Sequence, residues 1–413
     1  MTMVVRTAVY RLYPKKDQEK SLLHLLDGTR FVYNRLVEIC KSYVDHHLTL
    51  PSKFDLINMT TKIRHRNPFL EDVDSDCFRT AADRVYKAFM AWRKRCKDGV
   101  GFPRFKSWKM FDSFTYSRNN AFGFRGKNGE NNLRERIRLG KVGLVKYSNP
   151  FKIRGKCKIA TVFRRHIGEH HEWYVAISYE IQDLSKDALF LDPSMSKQDV
   201  GIDLGLENLI TVSDGTKIPN DRTYRAKEKH LADAQRKISQ FEEKSLDYIK
   251  YKTKLAHKYK KLRNHRSDLF HKISRELSIR YKTIVMEDLS VKQMAEESPK
   301  NRKKSYRDAA WSILTNMTCY KVAETGNRVV FVNPAYTSQL CSYCGTMVPK
   351  DLSVRIHICP HCGLKISRDL NAAINILNRG LGLQTKAGIC LKCNDGTTTP
   401  ERNFSHLAHC QKV

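Results

Sequence analysis

The sequence has no apolar run approaching the ~18 residues that a membrane-spanning helix needs. Its opening MTMVVRTAVYRLYP is interrupted by Arg6 before it could form the apolar core of a signal peptide. Acid is scarce: 43 Asp and Glu stand against 75 Lys and Arg, a formal net charge of +32 over 413 residues. A glycine-rich Walker-type phosphate loop, a G-x-S-x-G nucleophile elbow and a Cys–His pairing in a convincing catalytic context are all missing, so nothing in the sequence supports the chemistries they serve. There is no internal repeat. What remains is a globular chain, since 41% hydrophobic residues is too much for disorder. The excess of positive charge favours a polyanionic partner, because every phosphate neutralised by Lys or Arg releases counterions.

Twelve cysteines would allow disulfides in a secreted chain, but without a signal peptide the clustered C-x-x-C pairs favour metal binding in a reducing compartment. Cys341-x2-Cys344 and Cys359-x2-Cys362 are separated by fourteen residues, and Gly345 and Gly363 follow the pairs where tight turns are needed. Four thiolates close a tetrahedral zinc site, so this zinc is expected to be structural. Cys390-x2-Cys393 with His406 and Cys410 repeats the theme more weakly, because NDGTTTPERNFS between them offers little core. A second zinc and a loosely ordered tail both stay open there.

VVRTAVYRLYP alternates apolar and polar side chains and stops at Pro14, as a strand does. Residues 15–97 show helical spacing in Leu22, Leu23, Leu26, Phe31 and Val32 and again in Val85, Ala88, Phe89 and Trp92. GVGFPRFKSWKMFDSFTYS interleaves aromatics with Arg104, Lys106 and Lys109, a composition that suits base stacking with phosphate contact. Phe102, Phe105 and Trp108 fit a β-domain core equally well. CKIATVFRR and EWYVAISYEI are further strands, so a β-domain with a helical insertion is expected. Beyond the polar SKDALFLDPSMSKQD, VGIDLGLENLITVSDG reads as two strands, with a third at TKIP. Residues 222–282 carry 19 Lys and Arg against 7 Asp and Glu, with an apolar seam at Leu255, Tyr259, Leu262, Leu269, Ile273 and Leu277. That pattern predicts a long helical hairpin with a basic outer face. KTIVMEDL and RVVFVNP are strands, and residues 308–325 a helix.

Three acids end apolar elements: Asp203 in GIDLG, Glu287 in IVMEDL and Asp369 in RDLNAAINIL. A lone carboxylate is a poor strand residue and costly to bury, and Asp369 by itself would serve as a helix cap. Three together suggest a cluster that holds divalent cations, with oxygen ligands suited to Mg²⁺ and a two-ion site suited to phosphodiester hydrolysis. Strand alternation in MEDL puts Glu287 on one face and Asp288 on the other.

In their order and spacing, RLYP (11–14), GTRFVYN (28–34), GFPRFKS (101–107), GIDLGLENL (201–209), HKIS (271–274), VMEDL (285–289), NPAYTSQLCSYCG (333–345), CPHCG (359–363) and RDLNAAINIL (368–377) resemble the TnpB family of transposon-encoded RNA-guided DNA nucleases, related to type V CRISPR effectors. The resemblance covers the chain up to about residue 380. It implies a multidomain α/β plus β-barrel fold: a wedge-like β-barrel over 1–14 and 98–195, an inserted helical recognition domain over 15–97, and an RNase H-like RuvC nuclease domain over 196–336 and 364–380. A zinc-ribbon insertion at 337–363 would bind target nucleic acid, and 381–413 would be a tail outside the shared pattern.

The resemblance further implies that Asp203, Glu287 and Asp369 hold two Mg²⁺ ions and that Cys341, Cys344, Cys359 and Cys362 hold zinc. It implies a guide RNA from the transposon end, a double-stranded DNA target beside a short adjacent motif, and a cytoplasmic, nucleoid-associated location without membrane attachment. Protein partners are left open. Arg79, Arg84, Thr115, Tyr116 and Asn119 are candidate contacts to the adjacent motif, with ordinary surface or RNA contact as the alternative; Arg104 and Lys106 are candidates for nucleic acid generally, and His271 and Lys272 for the guide–target duplex, with helix-surface packing as their alternative. The link GLKIS before Asp369 is expected to act as a hinge. Two other functions stand beside cleavage: a regulator that binds without cutting, and a guide-independent RuvC-like nuclease.

Overall fold

The computed structural model describes residues 4–96, 99–118, 120–124, 136–148, 155–168, 170–181, 198–221, 223–290, 294, 296, 310–351 and 353–382. The tail with Cys390, Cys393, His406 and Cys410, most of the polar stretch before residue 198, and Asn119 lie outside the described residues. The chain divides into two units, Met1–Gln182 and Asp183–Val413. The expected boundary at 195/196 falls in an undescribed stretch.

In the first unit β1 (Val4–Tyr13) alternates as its sequence demands, with Tyr10 and Leu12 buried and Val5 and Tyr13 half exposed. Six more strands join it: β2 (Ser113–Tyr116), β3 (Phe122–Phe124), β4 (Arg136–Leu139), β5 (Gly143–Tyr147), β6 (Lys156–Ile167) and β7 (His170–Ile181). They form one antiparallel sheet in the order β2-β6-β7-β1-β5-β4-β3. The sheet curls strongly. Tyr10 in its middle meets Phe124 of the far edge strand edge-on at 6.4 Å, and the Tyr116 hydroxyl of the opposite edge donates to Gly140 O at 2.7 Å, just beyond β4. It does not close into the expected barrel: among the described residues no ladder joins β2 to β3. Edge strands of four and three residues offer few backbone groups for a closing ladder, and side chains bridge the gap instead.

The helical insertion appears where the periodicity put it. Helix α1 (Lys16–Asp45) buries Leu22, Leu25, Leu26, Val32 and Leu36 along one stripe. Helix α2 (Lys53–His65) is started by Ser52, whose Oγ accepts from Asp55 N at 3.2 Å, while Asp55 accepts from Ser52 N in return. Helix α3 (Ser75–Arg95) buries Phe78, Ala82, Val85 and Phe89. Of the three aromatics between insertion and sheet, Phe102 packs edge-on against Phe89 and Trp92. Phe105 and Trp108 are 55% and 43% exposed and do not belong to the sheet's core.

The second unit is a five-stranded mixed sheet in the order β10-β9-β8-β11-β12. Strands β8 (Gln198–Asp203), β9 (Asn208–Val212) and β10 (Lys217–Pro219) form an antiparallel meander; β11 (Tyr281–Glu287) and β12 (Arg328–Val332) run parallel to β8. Helices α5 (Leu246–Arg280) and α6 (Trp311–Glu324) cover one face: Phe270, Ile273, Leu277, Trp311, Leu314 and Val322 pack with Val200, Ile202, Ile284 and Met286. Helix α7 (Arg368–Leu381) covers the other, where Ile376 packs with Val285 and Val332. A sheet covered on both faces explains why its strands read as nearly continuous apolar runs.

The basic hairpin consists of α4 (Thr223–Ile238) and α5. Of the predicted seam Leu262, Ile273 and Leu277 are buried, while Leu255 and Leu269 are partly covered. Tyr259 is 37% exposed and receives a hydrogen bond from Gln235 Nε2 of α4 instead. Among the described residues no helix is long and apolar enough to cross a membrane.

Candidate metal centres

Strands β8 and β11 pair in parallel with Gly201 opposite Val285 and Ile202 opposite Met286. Continuing that register sets Asp203 beside Glu287 at the C-terminal ends of the two strands, where open α/β sheets place their ligands. Alternation fixes the direction. Gly201 and Val285 face α7, so Asp203 and Glu287, two residues on, share that face, while Met286 points into the α5 layer.

Helix α7 lies exceptionally close to the sheet. A Cβ at Gly201 would stand 2.1 Å from Ala373 O and 2.6 Å from Leu377 N, and one at Gly380 would stand 2.3 Å from Val285 Cγ1. The helix therefore runs back along β8 from the strand ends, and its first turn delivers Asp369 to them.

Burial pushes Asp203 well above the usual carboxylate range, with Glu287 and then Asp369 raising it further against the opposing charge of Arg368. Glu287 is raised chiefly by burial; a hydrogen bond from Thr337 and the charge of Arg379 work the other way. Arg368 Nε lies 3.6 Å from Asp369 Oδ1, both side chains being less than a fifth exposed. A buried group of like charges is the electrostatic setting that a divalent cation relieves.

The second centre is made of turns. In one, Cys341 N donates to Thr346 O and Gly345 N to Cys341 O; in the other, Cys359 N donates to Leu364 O and Gly363 N to Cys359 O. Gly345 and Gly363 sit at φ 75° and 74°, the left-handed region their turns require. The four sulfurs lie within 4.8 Å of one another, with Cys341–Cys362 at 3.6 Å and Cys344–Cys359 at 3.5 Å. A tetrahedron with Zn–S arms of ~2.3 Å has edges of about 3.8 Å, so the residues fit zinc. Among the described residues no other set of three or more His, Cys, Asp or Glu is drawn together in this way. The expected hinge GLKIS is not free: Lys365–Ser367 forms β14, paired with β13 (Ile356–Ile358), and runs directly into α7.

Three residues that sequence reasoning missed tie the two centres together. Thr337 Oγ1 donates to Glu287 Oε1 at 2.6 Å. Asn375 Nδ2 donates to Thr337 O and Leu340 O, and Asn371 Nδ2 donates to Leu340 O while its Oδ1 accepts from Ser342 N at 2.9 Å. Asn371 and Asn375 are fully buried one helical turn apart on the helix that carries Asp369. Two amides on the apolar face of RDLNAAINIL were the available signal, since buried amides need partners.

The predicted nucleic-acid contacts divide. Tyr116 is fully buried with its hydroxyl engaged, which makes it a core residue with no surface for a ligand. Arg84 binds inward, to Ser113 O at 2.9 Å and Thr115 Oγ1 at 2.7 Å, so Arg84 and Thr115 fasten α3 to β2. Arg79, 40% exposed, reaches Ser117 Oγ at 2.8 Å. Asn34 grips the backbone of Lys106 through both its amide atoms and leaves the neighbouring Arg104 side chain in solvent. His271 and Lys272 are exposed on α5, Lys272 paired with Asp268 at 2.7 Å. Asn119 lies outside the described residues.

Family models match three stretches: OrfB_IS605, described as a probable transposase, over residues 176–298; a Cas12f1-like TNB domain over 311–376; and a helix-turn-helix domain of the OrfB_IS605 type over 1–48. The last stretch is here a strand followed by one long helix. The chain is similar to "Putative RNA-guided DNA endonuclease InsQ" of Escherichia coli (strain K12), 29% identical over 81% of this chain and 82% of that protein. It is 30% identical to a "Putative RNA-guided DNA endonuclease" of Streptomyces pristinaespiralis over 86% of this chain and 84% of that one. A protein chain from a solved "Cas12f1-sgRNA-target DNA complex" shares the fold with a TM-score of 0.53 at 14% identity, covering 91% of this chain and 99% of its own. Matched at 30% identity over 86% of its length by one such relative, and by the transposase and TNB family models, the chain belongs to the TnpB family.

Proposed function

We propose that the protein is an RNA-guided endonuclease that cuts double-stranded DNA beside a short adjacent motif, using a guide from the transposon end. The observation that carries this reading is the convergence of Asp203, Glu287 and Asp369, far apart in sequence, at the ends of β8 and β11 and the start of α7. Mg²⁺ bound there would activate a water and stabilise the leaving oxygen of a phosphodiester.

The chain's own residues do the rest. Thr337 fixes which oxygen Glu287 presents, and the charges of Arg368 and Arg379 favour the ionised carboxylates that ligation requires. The thiol turns would hold structural zinc and a target-binding ribbon. Guide pairing would supply sequence specificity, while exposed Arg104, His271 and Lys272 would serve backbone contacts. The test is to purify the protein with its native transposon-end RNA and assay guide-matched DNA flanked by randomised bases in Mg²⁺. Cleavage confined to matched targets with a fixed flanking motif is expected; cutting that ignores the guide would sink the proposal.

A further inference from the structure

Tyr336 has a backbone φ of 63°. That left-handed conformation is rare and strained for a bulky side chain, and such outliers persist only where the surroundings enforce them and something is gained. The surroundings do enforce it: Gln339 N and Leu340 N both donate to Tyr336 O at 3.0 Å. A glycine would make the same turn without strain. The gain does not lie in the fold, since the side chain is 59% exposed. Among the described residues its ring enters no aromatic or cation contact and its hydroxyl no hydrogen bond.

The next residue is Thr337, buried and bonded to Glu287. Consecutive Cα atoms are ~3.8 Å apart, so Tyr336 is carried on the segment that Thr337 fastens to Glu287. An exposed, rigidly mounted aromatic next to a phosphodiester site has a fitting ligand in the face of an unpaired base. Stacking of this kind is indifferent to sequence, as a guided enzyme requires.

We infer that Tyr336 is a stacking seat for an unpaired nucleobase of the DNA strand delivered to Asp203, Glu287 and Asp369, a step that rests on the nuclease reading above. Two measurements on the full-length chain test it. In the first, Asp203→Ala protein with its guide RNA is photocrosslinked to single-stranded DNA carrying 5-iododeoxyuridine at successive positions, and the attached peptide is mapped. Attachment at Tyr336 is expected; attachment only elsewhere overturns the inference.

In the second, Tyr336→Gly should melt at or above the wild-type temperature because the strain is relieved, bind guide RNA equally, and cut about tenfold more slowly, the effect of one lost base–aromatic stack. Tyr336→Phe, which keeps the stacking face, should cut within about twofold of wild type. Tyr336→Gly cutting as fast as wild type also overturns it. If the wild-type protein cuts no guided DNA, the nuclease reading fails by itself and the crosslink alone decides the stacking seat.

Discussion

The four thiols come from two near-copies of one turn, each with its glycine at the same place, whereas the three carboxylates come from two strands and a helix with long stretches of chain between them. The thiol set needs little beyond its own turns and a metal. The carboxylate set exists only when β8 and β11 are in register and α7 is seated within backbone contact of Gly201. Local geometry thus makes one centre and tertiary packing the other. They are joined at Thr337, Asn371 and Asn375, so damage to the self-contained centre should reach the dependent one while damage in the other direction should not.

Removing zinc is the largest perturbation, because a structural zinc contributes on the order of 10 kcal/mol to folding its own module. Cys344→Ser, measured by metal analysis on a chain ending at residue 382, should lower zinc from about one equivalent to none. It should also abolish cleavage, because an unfolded ribbon gives up Thr337 on Glu287 together with the Leu340 and Ser342 bonds that seat α7 and its Asp369. Retained cleavage would show that the centres are independent. Asp203→Ala tests the reverse direction: cleavage should fall at least about a thousandfold with zinc content and guide binding unchanged, and persistent cutting would remove Asp203 from the metal site.

Gly201→Ala challenges packing without touching a ligand. The new methyl meets backbone atoms of α7, so a loss of roughly 1–3 kcal/mol in thermal or denaturant unfolding is expected, together with weaker cleavage as Asp369 shifts. Thr337→Val breaks only the link; the Mg²⁺ concentration for half-maximal cleavage should rise roughly tenfold, as for other groups that orient a metal ligand, and Thr337→Ser should restore it.

The smallest effect is that of pH on the metal-free protein. Asp203 and Glu287 both have folded-state values raised above their unfolded ones, so the folded state favours their protonated forms. Stability from this source is full below the unfolded values near about 4 and is lost as pH rises through the raised ones. The melting temperature should therefore fall with rising pH, less steeply in Asp203→Asn and less steeply with Mg²⁺ present. A pH-independent melting temperature would contradict the buried carboxylate cluster.

Much of this was legible because it is local. Periodicity marked α1, α3 and α5, and the alternation of MEDL put Glu287 opposite Met286. Cysteine spacing with the following glycines gave both knuckle turns. The misreadings were non-local. Tyr116 sits among polar neighbours in SFTYSRNN and looks like surface, yet the curl of the sheet carries its hydroxyl to Gly140 O and buries the ring. Arg84 resembles a ligand contact on a basic helix, yet the strand beside that helix takes all its recorded bonds. The family resemblance implied closure of the sheet, and among the described residues its two short edge strands share no ladder.

The sequence by itself determined where paired thiol turns, basic helices and acid-terminated strands would lie, because turn chemistry and side-chain periodicity act over a few residues. Only the tertiary structure decided that Thr337, Asn371 and Asn375 would connect ribbon to carboxylate, and that Tyr336 would be held in a strained turn beside them. Hydrogen bonds between groups so distant along the chain depend on how closely a helix can approach a sheet, and here two glycines without side chains, Gly201 and Gly380, set that distance.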